Sequence, residues 1–110
     1  MPLELSSAQR KRLRGLAHDL RPLVHVGKGG LSEAALAQID REIAEHELIK
    51  VRFLSDKEEK RSLAREVESR LHCGLAGLVG HVAVFYRPHA EPKRRKIVLD
   101  PPPGAAVREE

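Results

Sequence analysis

The hydrophobic pattern of the chain switches repeatedly between the period of a helix and the period of a strand, and each switch falls at a break. Ser6 or Ser7 is placed to cap a first helix, and Gln9 stands three residues after Ser6 as in a capping box. Leu13, Leu16, Ala17 and Leu20 then follow i, i+3, i+4, i+7 spacing, which predicts one apolar stripe and a helix to about Leu20. Pro22 restricts Arg21 and stops it. Leu23 to Val26 reads as a short strand running into Gly27-Lys28-Gly29-Gly30. Ser32 caps a second helix, with Glu33 in its first turn, buried residues Leu36, Ile39 and Ile43, and an end near His46.

From Leu48 to Leu54 the period is two: Ile49, Val51 and Phe53 point one way, Lys50 and Arg52 the other. Asp56 caps a third helix, with Glu59 three residues on, a stripe of Leu63, Val67 and Leu71, and Gly74 as its stop. Leu75 to Val79 and Val82 to Tyr86 form a hairpin about Gly80-His81. The order is helix–strand–helix–strand–helix–strand–strand. Strand–helix alternation implies crossovers and a partly parallel sheet, and the hairpin adds an antiparallel pair. The expected fold is therefore a compact single α/β domain of two or three layers with a four-stranded mixed sheet.

At 110 residues there is room for one domain and a tail. The domain is assigned to residues 1–99, with Ile97-Val98-Leu99 docking on it. Residues 100–110, which include Pro101-Pro102-Pro103-Gly104, are expected to be disordered. Phe53, Phe85 and Tyr86 are the aromatic residues, so the core must come from Leu, Ile, Val and Ala. Their scarcity also argues against a binder that stacks single-stranded bases on an aromatic platform. The lone Cys73 cannot form an internal disulfide, and burial explains it better than reactivity. The first residues lead into a polar stretch with no apolar signal core, so the expected location is the cytoplasm.

Lysine and arginine total 20 against 16 acidic residues, a formal net charge of +4. The stretch from Arg10 to Lys28 is strongly basic, with Asp19 its one acid. Such one-sidedness attracts polyanions, and it is equally compatible with a solvated surface. On the first helix, Arg10, Lys11 and Arg14 share a face with His18; Arg21 follows. Lys93-Arg94-Arg95-Lys96 is a second basic run, either a supplementary phosphate contact or a solubilising segment. Lys50 and Arg52 could reach a ligand if their sheet face is open.

The glycine loop is the main chemical signal. Glycines let another backbone approach, the helix start at Ser32 offers free N–H groups, and Lys28 adds a charge, a set that suits a phosphate. A tight turn with a charged tip is the competing reading. Nucleotide-cofactor motifs do not fit. No glycine stands five residues before Gly27, and Gly29 follows Lys28 where a Walker loop needs Ser or Thr. Ser32 occupies the third glycine position of a dinucleotide fingerprint. His46-Glu47 lacks the second histidine of a zinc-protease motif, because Lys50 stands there, and the other histidines have no ligand-like spacing. Asp56, Glu58 and Glu59 are explained by capping. No catalytic constellation, cofactor site or metal site is expected.

Several segments, in order, carry a family resemblance: Leu16-Ala17-His18 with Arg21-Pro22; Val26 to Glu33; His46 to Val51; and Gly80 with Val84 to Pro88. Together they resemble the YhbY-type family of the CRM domain (chloroplast RNA splicing and ribosome maturation) over roughly residues 3–99. The resemblance implies a fold similar to the C-terminal domain of translation initiation factor three. It also implies RNA binding through Gly27, Lys28, Gly29 and Gly30, and association with ribosomal RNA in precursors of the large ribosomal subunit. His81 stands where the family usually has a basic residue, so no contact is carried over there. The expected RNA-binding set is Gly27, Lys28, Gly29, Gly30, Ser32, Arg10, Lys11, Arg14 and Arg21. The alternative is a protein-interaction module that docks on ribosomal proteins or assembly factors.

Overall fold

The computed structural model describes residues 3–27 and 29–99, so Lys28 and the tail 100–110 lie outside the described residues. Three helices and four strands follow the expected order: α1 (Ser7–Leu16), β1 (Pro22–Val26), α2 (Glu33–His46), β2 (Leu48–Phe53), α3 (Lys57–Leu71), β3 (Gly74–Val79) and β4 (Val82–Tyr86). A short 3-10 turn, Pro92–Arg94, comes last. The four strands form one sheet in the order β1-β2-β4-β3. β1 and β2 are parallel across the α2 crossover, while β2/β4 and β4/β3 are antiparallel. The mixed sheet is as expected.

The helix starts are built from local chemistry. Ser6 accepts from the Gln9 N–H at 3.1 Å while Gln9 accepts from the Ser6 N–H at 2.8 Å, completing the capping box. Ser32 accepts from Ala35 N–H (3.0 Å) and Asp56 from Glu59 N–H (2.9 Å). α2 ends at His46 as expected, but the ends of α1 and α3 differ from expectation. α1 stops at Leu16, because the His18 and Leu20 N–H groups bond back only three residues, to Gly15 and Ala17, and this tightens the chain out of the helix before Pro22. α3 is ended by His72 in the left-handed conformation (φ 54°), not by Gly74. Gly74 is needed for another reason: a Cβ there would lie 2.6 Å from Leu5 Cδ1.

Each face of the sheet carries its own core, giving three layers. On one side Leu36, Ile39 and Ile43 of α2 and Ala64 and Val67 of α3 pack on Val24, Val26, Ile49, Val51, Phe53 and Phe85. The alternation read along β2 places these side chains correctly. On the other side Leu13 and Ala17 pack with Leu5, Leu48, Ala76, Val84, Tyr86 and Leu99. Leu99 docks as expected. Leu16 and Leu20 do not join this core and remain 43% and 40% exposed.

Glu47 holds the last segment in place. It follows α2 with φ at 66°, and it is 1% exposed. Its carboxylate accepts three backbone N–H groups, from His89 (2.7 Å), Lys96 (2.8 Å) and Ile97 (3.2 Å). Its own carbonyl accepts from Arg87 N–H at 2.9 Å. The residue that looked like half of a zinc motif is a clamp on the chain beyond the sheet.

Candidate functional site

The C-terminal end of β1 delivers the chain into the glycine loop. The Gly30 N–H donates to the Gly27 carbonyl at 3.1 Å, closing a turn, and Gly30 has a φ of 87° that a side chain would strain. Gly27 and Gly29 have no such need. A Cβ on either meets no atom within 4 Å, and neither has a positive φ. Within the described residues the fold explains Gly30 but does not require glycine at the other two positions. Ser32, beyond the loop, already uses its hydroxyl to cap α2.

Other elements end at the same place. Leu54 N–H donates to the Val26 carbonyl (3.0 Å), and Phe53 N–H donates to the His81 carbonyl (2.7 Å). These bonds bring the start of α3 and the Gly80-His81 turn to the loop end of the sheet. Two helix N-termini, those of α2 and α3, therefore share that end, with the partial positive charge such termini carry. His25 and Arg52 are register partners on the face opposite α2 and α3, both exposed, beside the exit of β1. Lys57 and Arg61 line a small pocket with Gly80, while the Lys60 ammonium is fixed on the Gly80 carbonyl at 2.6 Å. Acids are present too: Glu33 pairs with Arg70 at 3.0 Å, Asp56 caps, and Glu58 and Glu59 lie in the first turn of α3.

The basic face expected on α1 is placed elsewhere. The Arg14 guanidinium donates to the Ala76 carbonyl of β3 at 2.9 Å, and its stem covers Gly77. β3 is the edge strand farthest from β1, so Arg14, with Arg10 one turn earlier, lies across the sheet from the glycine loop. Lys11 is exposed on α1, beside Arg12. Arg21 precedes β1 and so sits at the opposite end of that strand from the loop. Lys50, considered above as a ligand contact, donates to the carbonyls of His18 (3.3 Å) and Leu20 (3.0 Å) and ties down the α1–β1 connection.

Sequence reasoning singled out neither His25 nor Lys57 and Arg61, and it left Arg52 conditional. The period-two pattern of β1 and β2 contains the signal for His25 and Arg52. The placement of Lys57 and Arg61 beside Gly80 depends on how the hairpin folds back.

Burial pushes the Cys73 thiol up to about 12, against the thiolate a nucleophile needs. Among the described residues no group of three or more His, Cys, Asp or Glu is placed to hold a metal ion, and no helix is long and apolar enough to cross a membrane.

Similarity to known proteins agrees with this architecture. A Haemophilus influenzae protein named "RNA-binding protein" is 39% identical over 90 residues, covering 81% of this chain and 91% of that protein. A Pseudomonas aeruginosa protein named "Probable RNA-binding protein" is 31% identical over 93 residues, covering 84% and 89%. The solution structure of a Staphylococcus aureus protein matches with a TM-score of 0.75 at 33% identity, covering 86% of this chain and 100% of that one. The family model of the CRS1 / YhbY (CRM) domain matches residues 5–87. The chain belongs to the CRS1 / YhbY (CRM) domain family.

Proposed function

We propose that the protein is a non-enzymatic RNA-binding protein that grips the RNA backbone at the Gly27–Gly30 loop and acts on precursors of the large ribosomal subunit. One observation carries the loop assignment: Gly27 and Gly29 are glycines that neither packing nor backbone conformation demands. Their use is then external, because a residue without a Cβ lets a second backbone come close. The setting supports a phosphate as what comes close. The turn opens onto a capped helix start, a second helix start lies at the same end, and Arg52 and His25 stand exposed beside it. The relatives' names point to RNA as the polyanion. The large-subunit precursor is the target that the family resemblance implies.

The test separates binding from folding. Gly29→Ala meets no atom and no strained φ, so it should leave the Tm unchanged or slightly raised. It should nevertheless weaken binding to large-subunit ribosomal RNA. Lys28→Glu should weaken binding at every salt concentration and flatten the dependence of log K on log salt by roughly 0.7–0.9 for a lost phosphate contact. Full affinity in both folded variants would refute the loop assignment. Co-sedimentation with mature subunits and not with precursors would refute the assembly role.

A further inference from the structure

The exposed leucines that failed to join the second core form a surface of their own. Leu16, Leu20 and Leu23 are 43%, 40% and 43% exposed, and they come from the end of α1, the connection and β1. With Leu48, Ile49 and Ile97 they line a groove of about 430 Å³. The other lining residues are Arg21, His46 and Lys96, and no carboxylate lines it. Neither the Arg21 guanidinium nor the Lys96 ammonium has a partner among the described residues. The three exposed leucines are gathered in one concave groove rather than scattered singly, as at a binding groove.

The groove is built rather than incidental, since both of its walls are pinned. Lys50 bonds the His18 and Leu20 carbonyls and so sets the α1–β1 wall. The Glu47 carboxylate bonds the Lys96 and Ile97 N–H groups and so sets the opposite wall. The groove is also remote from the glycine loop. It opens at the start of β1, and the loop lies at its end, roughly 16 Å away for five residues at about 3.3 Å each.

We infer that this groove docks a short amphipathic helix of a partner protein, with aliphatic anchors at i, i+3/i+4 and i+7 and acidic residues flanking them. The floor is aliphatic, which suits the apolar stripe of a helix. The unpaired cations Arg21 and Lys96 stand at the rim, where acidic flanks would meet them. RNA fits this surface less well, because the lining is mostly aliphatic and, apart from His46 and Arg21, offers no flat group for a base to stack on. The inference does not depend on the glycine loop being the RNA site.

The test is an NMR titration of the isotope-labelled full chain. The probe is a synthetic helical peptide with leucines at i, i+4 and i+7 and glutamates at the flanks. Its counterparts carry lysines in place of the glutamates, or are replaced by a single-stranded oligouridylate. The acidic peptide should move the amides of Leu16, Leu20, Leu23, Leu48 and Ile97 and leave Gly27 and Gly29 unmoved. The lysine peptide should not bind. Leu20→Glu should weaken the acidic peptide at least about tenfold (~1.4 kcal/mol) while RNA binding is retained. Lys96→Glu should weaken it as well. The spectrum of each variant reports whether it is folded.

The inference is overturned if millimolar acidic peptide leaves the groove amides in place, or if the two peptides bind equally. It is also overturned if oligouridylate moves the groove amides instead, or if deleting residues 100–110 alone shifts them and so identifies the chain's own tail as the occupant.

Discussion

Replacing Glu47 with Gln changes a single atom's chemistry and should cost much of the stability of this domain. In the native chain the carboxylate accepts N–H groups from His89, Lys96 and Ile97, and the side chain is almost wholly buried. A carboxylate can accept at both oxygens, whereas the amide of Gln has one acceptor and one donor. Whichever way the amide turns, at least one backbone N–H faces another N–H. An unsatisfied buried donor costs about 1–3 kcal/mol, and the remaining bonds lose the strengthening that a charged acceptor supplies, about 1 kcal/mol more. A total near ~3 kcal/mol corresponds to a fall in Tm of roughly 10–20 °C for a domain of this size.

Thermal unfolding followed by circular dichroism reads the fall, and hydrogen exchange localises it. The amides of His89, Lys96 and Ile97 should lose protection before those of β2 and β4. Glu47→Ala removes all three bonds and should be worse. A Tm drop below about 4 °C, equivalent to less than ~1 kcal/mol, with the three amides still protected, would refute the clamp.

The other predictions concern the core. Gly74→Ala forces a Cβ to within 2.6 Å of Leu5 Cδ1 and 3.1 Å of the Leu3 carbonyl oxygen, so urea unfolding should show a loss of about 1–3 kcal/mol. Gly77→Ala meets only the flexible stem of Arg14, and its loss should be smaller. Cys73 gives the pH dependence. Burial raises its thiol from 9.0 to about 12 in the folded chain, so the stability it contributes is complete below pH 9. As pH rises from there toward 12, the unfolded chain ionises first and stability falls, with a slope approaching 1.4 kcal/mol per pH unit. Urea unfolding between pH 8 and 10 should show this fall, and Cys73→Ala should remove most of it. An unchanged slope in Cys73→Ala would assign the effect to another group.

What was legible in the sequence is what is decided within a few residues. Each helix cap is a contact across three residues, so Ser6 with Gln9, Ser32 and Asp56 could be found by spacing alone. The faces of β2 follow from its alternation. The stripe on α1 shows the limit of periodicity, which says which residues share a side but not whether anything lies opposite. Leu13 and Ala17 meet the sheet, while Leu16 and Leu20 face a groove. The Glu47 clamp joins residues 42 to 50 positions apart and leaves no local mark. Even the helix stop at His72 was hidden, because a left-handed residue there did the work that Gly74 was expected to do.

The same limit governs the charge argument, and the sheet order resolves it. A run of cations from Arg10 to Lys28 invites the picture of one basic face next to one glycine loop. The order β1-β2-β4-β3 does not allow that picture. Arg14 is bonded to β3, Lys50 to the chain before β1, Lys60 to Gly80 and Arg87 to Asp40, so each of these charges has a structural partner. Among the exposed cations of the described residues, Arg10, Lys11 and Arg12 lie along α1, and others flank the two ends of β1. Arg52 stands at the loop end of the sheet, where Lys57 and Arg61 flank the Gly80 turn, and Arg21 at the groove end, across from Lys96. Around the loop the cations accompany open backbone and helix starts, which suit phosphate. Around the groove they accompany bare aliphatic carbon, which suits a peptide. If this division holds, salt should weaken binding at the loop end far more than at the groove end, because only the former exchanges counterions along a polyanion.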